Sequence, residues 1–269
     1  MQVAFLLSID TMGYNVSIIG SGNVAWHLAL HLEEAGNYIE YIWSRNPANA
    51  QKIVSKLFQG EVAKTLDFSK AKSQIFIIAV PDDAIEEIAN QIIVPEKAIV
   101  CHTSGSKSIS LLESIDAQKG VFYPLQTFSK HKKVDWKNIP ICIEATDEFS
   151  DFTLTNLAKS ISDYVYFLDS TQRKKLHLAA VFACNFTNHL YSIAEQLLEN
   201  ADIPFEILHP LIIETSTKAT NNKPSTVQTG PASRKDITTI SNQIEALELV
   251  PQWQKIYKLI TKEIMNDQQ

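Results

Sequence analysis

The sequence predicts an α/β chain, with a domain of βαβ units over residues 1–168 and an all-helical domain over 169–269. Three observations predict it. Through about the first 165 residues, short apolar β-branched runs alternate with amphipathic stretches, the pattern of βαβ units. Residues 75–80 (Ile-Phe-Ile-Ile-Ala-Val) are apolar on both faces, as a central strand covered by helices must be. Beyond Asp169 the strand pattern stops, and apolar residues recur every three or four positions.

The first strand is expected at 15–19, running into a glycine turn and a helix over 23–35. A second strand at 38–43, a helix at 46–58 and the central strand at 74–80 follow. The next helix, 82–91, begins after Pro81, whose fixed φ suits a first helical turn, and Asp82 reads as its cap. Strands are expected at 98–102, 120–123, 140–144 and 164–167, with a helix over 148–160 between the last two. In the helical part, Leu176, Ala180, Ala183, Thr187 and Leu190 mark one long helix over 170–200, with Ser170 or Thr171 as its cap. Helices over 205–219, 236–249 (capped by Asp236) and 251–265 complete the chain. The polar loop 220–235 is long for a compact domain, and loops of that length often carry function.

Composition narrows the classes. Hydrophobic residues at 45% and charged residues at 20% exclude a disordered or low-complexity chain. Twenty-four Lys+Arg against 30 Asp+Glu, a net charge of −6, argues against a nucleic-acid partner, and Lys130-His131-Lys132-Lys133 is too short a basic run to reverse that. Cys101, Cys142 and Cys184 are far apart and lack CxxC spacing, so they read as buried free thiols rather than a disulfide or zinc framework. No stretch reaches the ~18 apolar residues of a membrane helix. The opening MQVAFLLSID has no basic leader region. It reads as an added strand or as an upstream start ahead of Met12, in a cytoplasmic protein.

The chemistry sits at strand ends. Gly20-Ser21-Gly22-Asn23-Val24-Ala25 is GxGxxA between a strand and a helix, the setting of a dinucleotide-binding turn. Gly20 permits the tight turn, Gly22 lets a pyrophosphate approach the backbone, and the helix N-terminus offers free N–H groups. The second strand ends Trp43-Ser44-Arg45-Asn46. Ser44 and Arg45 suit a ribose 2′-phosphate, where an NAD site carries an acid. Glu40 is the rival acid, but lies near the strand's start. The expected cofactor is therefore NADP, held by Gly20, Ser21, Gly22, Asn23, Val24, Ser44, Arg45 and Asn46, with Val80, Pro81, Thr103 and Ser104 from the next two strand ends. His102, at the tip of the strand expected over 98–102, is a candidate for the nicotinamide pocket.

The GSGNVA turn, SRN, AVPD, HTSG and FYPLQTF, followed by LHLAAVFACNFTNHL, LHPLI and TGPASRKD, resemble the Rossmann-like NADP oxidoreductases that carry a C-terminal domain of unknown function. The resemblance covers the chain from Met12 onward. More distantly the chain is similar to pyrroline-5-carboxylate reductase, the deazaflavin-dependent NADP reductases and the β-hydroxyacid dehydrogenases, though it lacks the last group's lysine and asparagine spaced by four. These relatives imply NADPH binding, hydride transfer and a homodimer packed through the helical domains. Where the family tends to have His before Pro-Leu, this chain has Tyr123, a donor titrating at about 10 rather than about 6.5.

In the helical part, His177 and Asn188 fall within ~20° of one helix face, with Asn185 ~80° round. Arg234, in TGPASRKD, suits either a substrate carboxylate or an ion pair with Asp236. His102, Tyr123, His177, Asn185 and Arg234 are thus the candidate substrate-side residues, and no residues have metal-ligand spacing. The expected function is hydride transfer between NADP(H) and a small C=O or C=N substrate in an interdomain cleft. The alternative is a non-catalytic NADP(H)-binding redox sensor acting through its dimer.

Overall fold

A computed structural model describes residues 13–130 and 132–267. The opening segment read as an added strand or upstream start lies outside the described residues. Eight strands form one sheet in the order β3-β2-β1-β4-β5-β6-β7-β8. They are β1 (Asn15–Ile19), β2 (Tyr38–Trp43), β3 (Glu61–Val62), β4 (Ile75–Ile78), β5 (Ile99–His102), β6 (Gln118–Pro124), β7 (Ile141–Ala145) and β8 (Val165–Phe167). All neighbours are parallel except β6 and β7. The order reverses between β1 and β4, so the carboxyl ends of these two strands flank the crevice where such sheets bind ligands.

Alternation builds the two faces. Val16, Ile18, Ile75, Ile77, Ile99 and Cys101 point to one side, under α1 (Asn23–Glu34), α2 (Pro47–Val54) and α4 (Glu148–Ile161). Ile19, Phe76, Ile78 and Val100 point to the other, under α3 (Ile85–Ala89) and Leu112. The central strands are therefore apolar throughout because both faces are covered. Residue 13, ahead of β1, is held glycine by space: a β-carbon there would lie 1.8 Å from the Gly36 carbonyl oxygen.

Helix α5 (Ser170–Ala180) leads into a π turn, Val181–Phe186, and then α6 (Thr187–Glu199), α7 (His209–Asn221), α8 (Ile237–Ala246) and α9 (Pro251–Asp267). Asp169, not Ser170 or Thr171, caps α5; with Gln172 it forms a reciprocal capping box, which a hydroxyl one residue later could not make. Asp236 caps α8 as expected, accepting from Thr239 N–H at 3.1 Å. Asp82 is not a cap: it opens a short 3-10 turn and accepts from the Ser106 hydroxyl at 2.5 Å. The chain divides into two compact units between Cys184 and Asn185. Helix α5 falls in the first because Leu176 packs against Val121, Tyr123 and Cys142. Cys101 and Cys142 are buried free thiols as expected, but Cys184 is exposed. The π turn also breaks the regular 100° spacing on which a shared face for His177 and Asn188 depends.

Candidate functional site

A cavity of about 580 Å³ opens at the carboxyl ends of β1, β2 and β4. Its floor is the glycine turn. Gly20 has φ +137°, and a β-carbon there would lie 2.0 Å from the Ala79 carbonyl oxygen, so the turn can pass the end of β4 only with glycine. Gly22 differs: nothing lies within 4 Å of where its β-carbon would be. It is the N-cap of α1 and brings no side chain to the helix end, whose first internal bond is Trp26 N–H to the Gly22 carbonyl at 3.0 Å. The preceding amide donors of the helix thus face the space that Gly22 leaves open.

Ser21, Asn23, Val24, Ser44, Arg45, Val80, Pro81 and Thr103 all border this cavity. The hydroxyls of Ser21 and Ser44 lie 2.8 Å apart and join the turn to the tip of β2. Asn46 has another task, since its side chain accepts from Ala48 N–H and caps α2. Glu40 is engaged well before the tip: its carboxylate accepts from Lys72 N–H at 2.9 Å and from the Ser73 hydroxyl at 2.7 Å. Lys130 approaches from the loop after β6. Its ammonium donates to the Ser21 carbonyl at 3.0 Å and sits 5.8 Å from the centre of the Trp26 ring. The same loop accepts from the Asn23 side chain at the Phe128 carbonyl, 2.8 Å away. Sequence reasoning dismissed the basic run containing Lys130, because only the fold brings it to a turn more than a hundred residues away.

Thr103 borders the cavity, and Gly105 can lie at most about 7 Å further along the chain. There Tyr123 Oη and His177 Nδ1 are hydrogen-bonded at 3.0 Å, with their rings edge to face. Burial pushes the Tyr123 phenol up to about 12, so it keeps its proton across the ordinary pH range. Gly105 makes the pair possible: a β-carbon there would lie 2.6 Å from His177 Nδ1 and 2.6 Å from Tyr123 Cζ.

His102 and Ser104 sit behind this pair. His102 is wholly buried: Nδ1 accepts from Ser104 N–H at 3.2 Å, and Nε2 faces the Ser108 carbonyl at 3.3 Å. Burial, helped by the Arg173 charge, depresses its pKa to about 4, so the ring is neutral. Ser104 Oγ accepts from Ser106 N–H and Lys107 N–H, closing the turn. Below lies a group that sequence reasoning missed. Arg173 is fully buried, ion-paired with Glu144, and donates to the Ser104 and Lys107 carbonyls. Asn185 and Arg234 belong to the second unit, where both are exposed. Among the described residues, no cluster of His, Cys, Asp or Glu could hold a metal ion, and no helix is long and apolar enough to cross a membrane.

Comparison with known proteins gives two family matches, the second of which begins within the first compact unit and runs into the second. Residues 7–127 match the Rossmann-like domain family, and residues 139–264 match a domain of unknown function, DUF2520. A solved structure from Bacteroides fragilis, whose given name of NADP oxidoreductase is provisional, is 38% identical, covers 95% of this chain and 99% of its own, and superimposes with a TM-score of 0.87. A reductive aminase from Aspergillus terreus, solved with NADPH and ethyl levulinate, shares the fold at 15% identity over 93% of this chain and 94% of its own, TM-score 0.68. A pyrroline-5-carboxylate reductase from Coxiella burnetii does so at 13% identity over 93% and 98%, TM-score 0.58. Among proteins of curated function, none matches this sequence.

Proposed function

Since the chain belongs to the family of Rossmann-like NADP oxidoreductases with a C-terminal domain of unknown function, we propose that it transfers hydride between NADP(H) and a small C=O or C=N substrate. The carrying observation is the cavity over the glycine turn, with Ser44 and Arg45 on its wall and Glu40 bound elsewhere. The residues fit the nucleotide: an uncapped helix end and the space beside Gly22 suit a pyrophosphate, and a guanidinium at the tip of β2 suits a 2′-phosphate. Lys130 adds positive charge beside the turn.

When bound, the dinucleotide supplies or accepts the hydride. The protein's own residues manage the proton. Tyr123 Oη–H donates to the developing alkoxide or amine, His177 Nδ1 orients the phenol through their hydrogen bond, and water restores the proton to Oη once product has left. His102 and Ser104 hold the turn at Gly105 and do not meet the substrate, being buried and internally bonded. Asn185 and Arg234 are the proposed substrate-orienting groups of the helical segment.

A homodimer through the C-terminal helices is part of the reading. Leu211, Ile213 and Leu259 are each more than 60% exposed in the single chain, while few apolar residues of their unit are buried. The test is a turnover screen with NADPH over imino acids, 2-keto acids and flavin-type acceptors. Turnover of one class that Tyr123→Phe lowers by about 10²-fold or more, with NADPH affinity retained, is the expected result. Absence of turnover across all classes contradicts the reading and favours a binding module.

A further inference from the structure

We propose that Arg173 is a positioning residue, which clamps the turn 104–107 so that the Tyr123–His177 hydrogen bond is held in reacting geometry. A buried guanidinium is costly unless its charge and its donors are all met. Here the charge and four of the five donors are met, two of them by carbonyls of the turn 104–107. The charge pairs with Glu144 on β7, and Nε donates to the Ser104 carbonyl at 3.1 Å. Nη2 donates to the Lys107 carbonyl and reaches the Ser170 hydroxyl at 3.3 Å, while that hydroxyl donates to Glu144 at 2.9 Å. The donors of a guanidinium form a rigid fork, so grasping two carbonyls three residues apart fixes the span of the turn between them.

Gly105 lies inside that span. Its backbone is the wall on which Tyr123 and His177 rest, with clearance so small that a single added methyl would collide with both. Moving the turn by a few tenths of an ångström therefore moves the pair. The clamp also joins the two elements that carry the pair. His177 lies one helical turn after Arg173 on α5. Glu144 lies two residues beyond Cys142, which stands opposite Tyr123 across β6 and β7. One ion pair thus ties the helix bearing His177 to the strand beside Tyr123.

A purely structural role makes a different prediction, because a buried ion pair can often be replaced by apolar side chains without loss of stability. The test is the double variant Arg173→Met/Glu144→Met, with Arg173→Lys beside it. Each is measured for thermal midpoint, NADPH binding, the His177 imidazole 15N shifts and steady-state rates. In the folded double variant, the Nδ1 shift moves to that of a ring without its phenol partner, and kcat falls about ten- to hundredfold with KM for NADPH unchanged. Arg173→Lys keeps a charge for Glu144 but not the fork, and shows the same shift in part. If the double variant does not fold, Arg173→Lys alone decides. Wild-type His177 shifts and wild-type kcat in a folded variant overturn the proposal.

The inference rests on Tyr123 and His177 being the proton-delivering pair, and Tyr123→Phe run in parallel separates the two ideas. If Tyr123→Phe leaves kcat intact while the His177 shift still moves in the Arg173 variants, the clamp stands and the pair's role falls.

Discussion

The Ser21 and Ser44 hydroxyls lie 2.8 Å apart, so the glycine turn after β1 and the tip of β2 present a single surface to the cavity. A ligand that uses the amides at the head of α1 for one phosphate finds Arg45 within the same cavity for another. This makes the choice of nucleotide a property of a few residues, and it sets the first two predictions.

Glu40 is a structural acid in this arrangement. Glu40→Ala removes the acceptor for Lys72 N–H and the Ser73 hydroxyl and should cost about 1–3 kcal/mol in urea denaturation. The ratio of NADPH to NADH affinity should not change. A shift in that ratio would mean that Glu40, not Arg45, reads the ribose.

Gly20 and Gly22 should respond oppositely to alanine. Gly20→Ala places a methyl on the Ala79 carbonyl at a positive φ, and should lose more than ~3 kcal/mol of stability. Gly22→Ala has an ordinary backbone, φ −73° and ψ −171°, and open space, so stability should hold or rise by up to ~1 kcal/mol. Its methyl would occupy the phosphate site, and NADPH affinity should drop about tenfold or more. Thermal melts with and without NADPH read both.

His102 makes stability depend on pH. Its folded pKa, about 4, is below the unfolded value of about 6.5, so the folded state disfavours the charged ring. The associated stability, about 3 kcal/mol, is fully present above pH 6.5 and is lost as the pH falls through the window down to about 4. In His102→Gln the curve of unfolding free energy against pH should flatten over that window, as chemical denaturation at several pH values would show.

Tyr123 should not produce an alkaline limb in the rate. Burial holds its phenol near 12, so kcat should stay level with respect to this group up to about pH 10. Tyr123→Phe should lower kcat by about 10²-fold or more, the usual contribution of a positioned proton donor. A rate that falls between pH 8 and 10 in the wild type but not in Tyr123→Phe would assign that limb to an ionising phenol, against this account.

The strands and the glycine turn were legible in the sequence because each is a local pattern: β-branched runs, two glycines and an alanine, a strand tip ending in Ser44-Arg45. Strand β3 was not, since Glu61–Val62 has too few residues to show a period. The His102 reading placed the residue at the right strand end, but its burial and its bonds to Ser104 and Ser108 come from the turn folding back over it. Arg173 was invisible for a similar reason. On α5 it stands among Gln172, Lys174 and Lys175 and looks like one more solvated charge; only the arrival of β7 with Glu144 and of the 104–107 turn buries it. Gly105 showed as part of a motif, while its cause, the pair packed against it, joins residues more than fifty apart.

The central claim is that the cavity over Gly20–Gly22 holds NADP(H) and that Arg45 selects it. Calorimetric titration of the wild type and of Arg45→Ala with NADPH and NADH tests this most directly. The account predicts a clear preference for NADPH in the wild type that collapses in Arg45→Ala while NADH binding is little changed. Equal affinity for the two nucleotides in the wild type, or binding of neither, would contradict it.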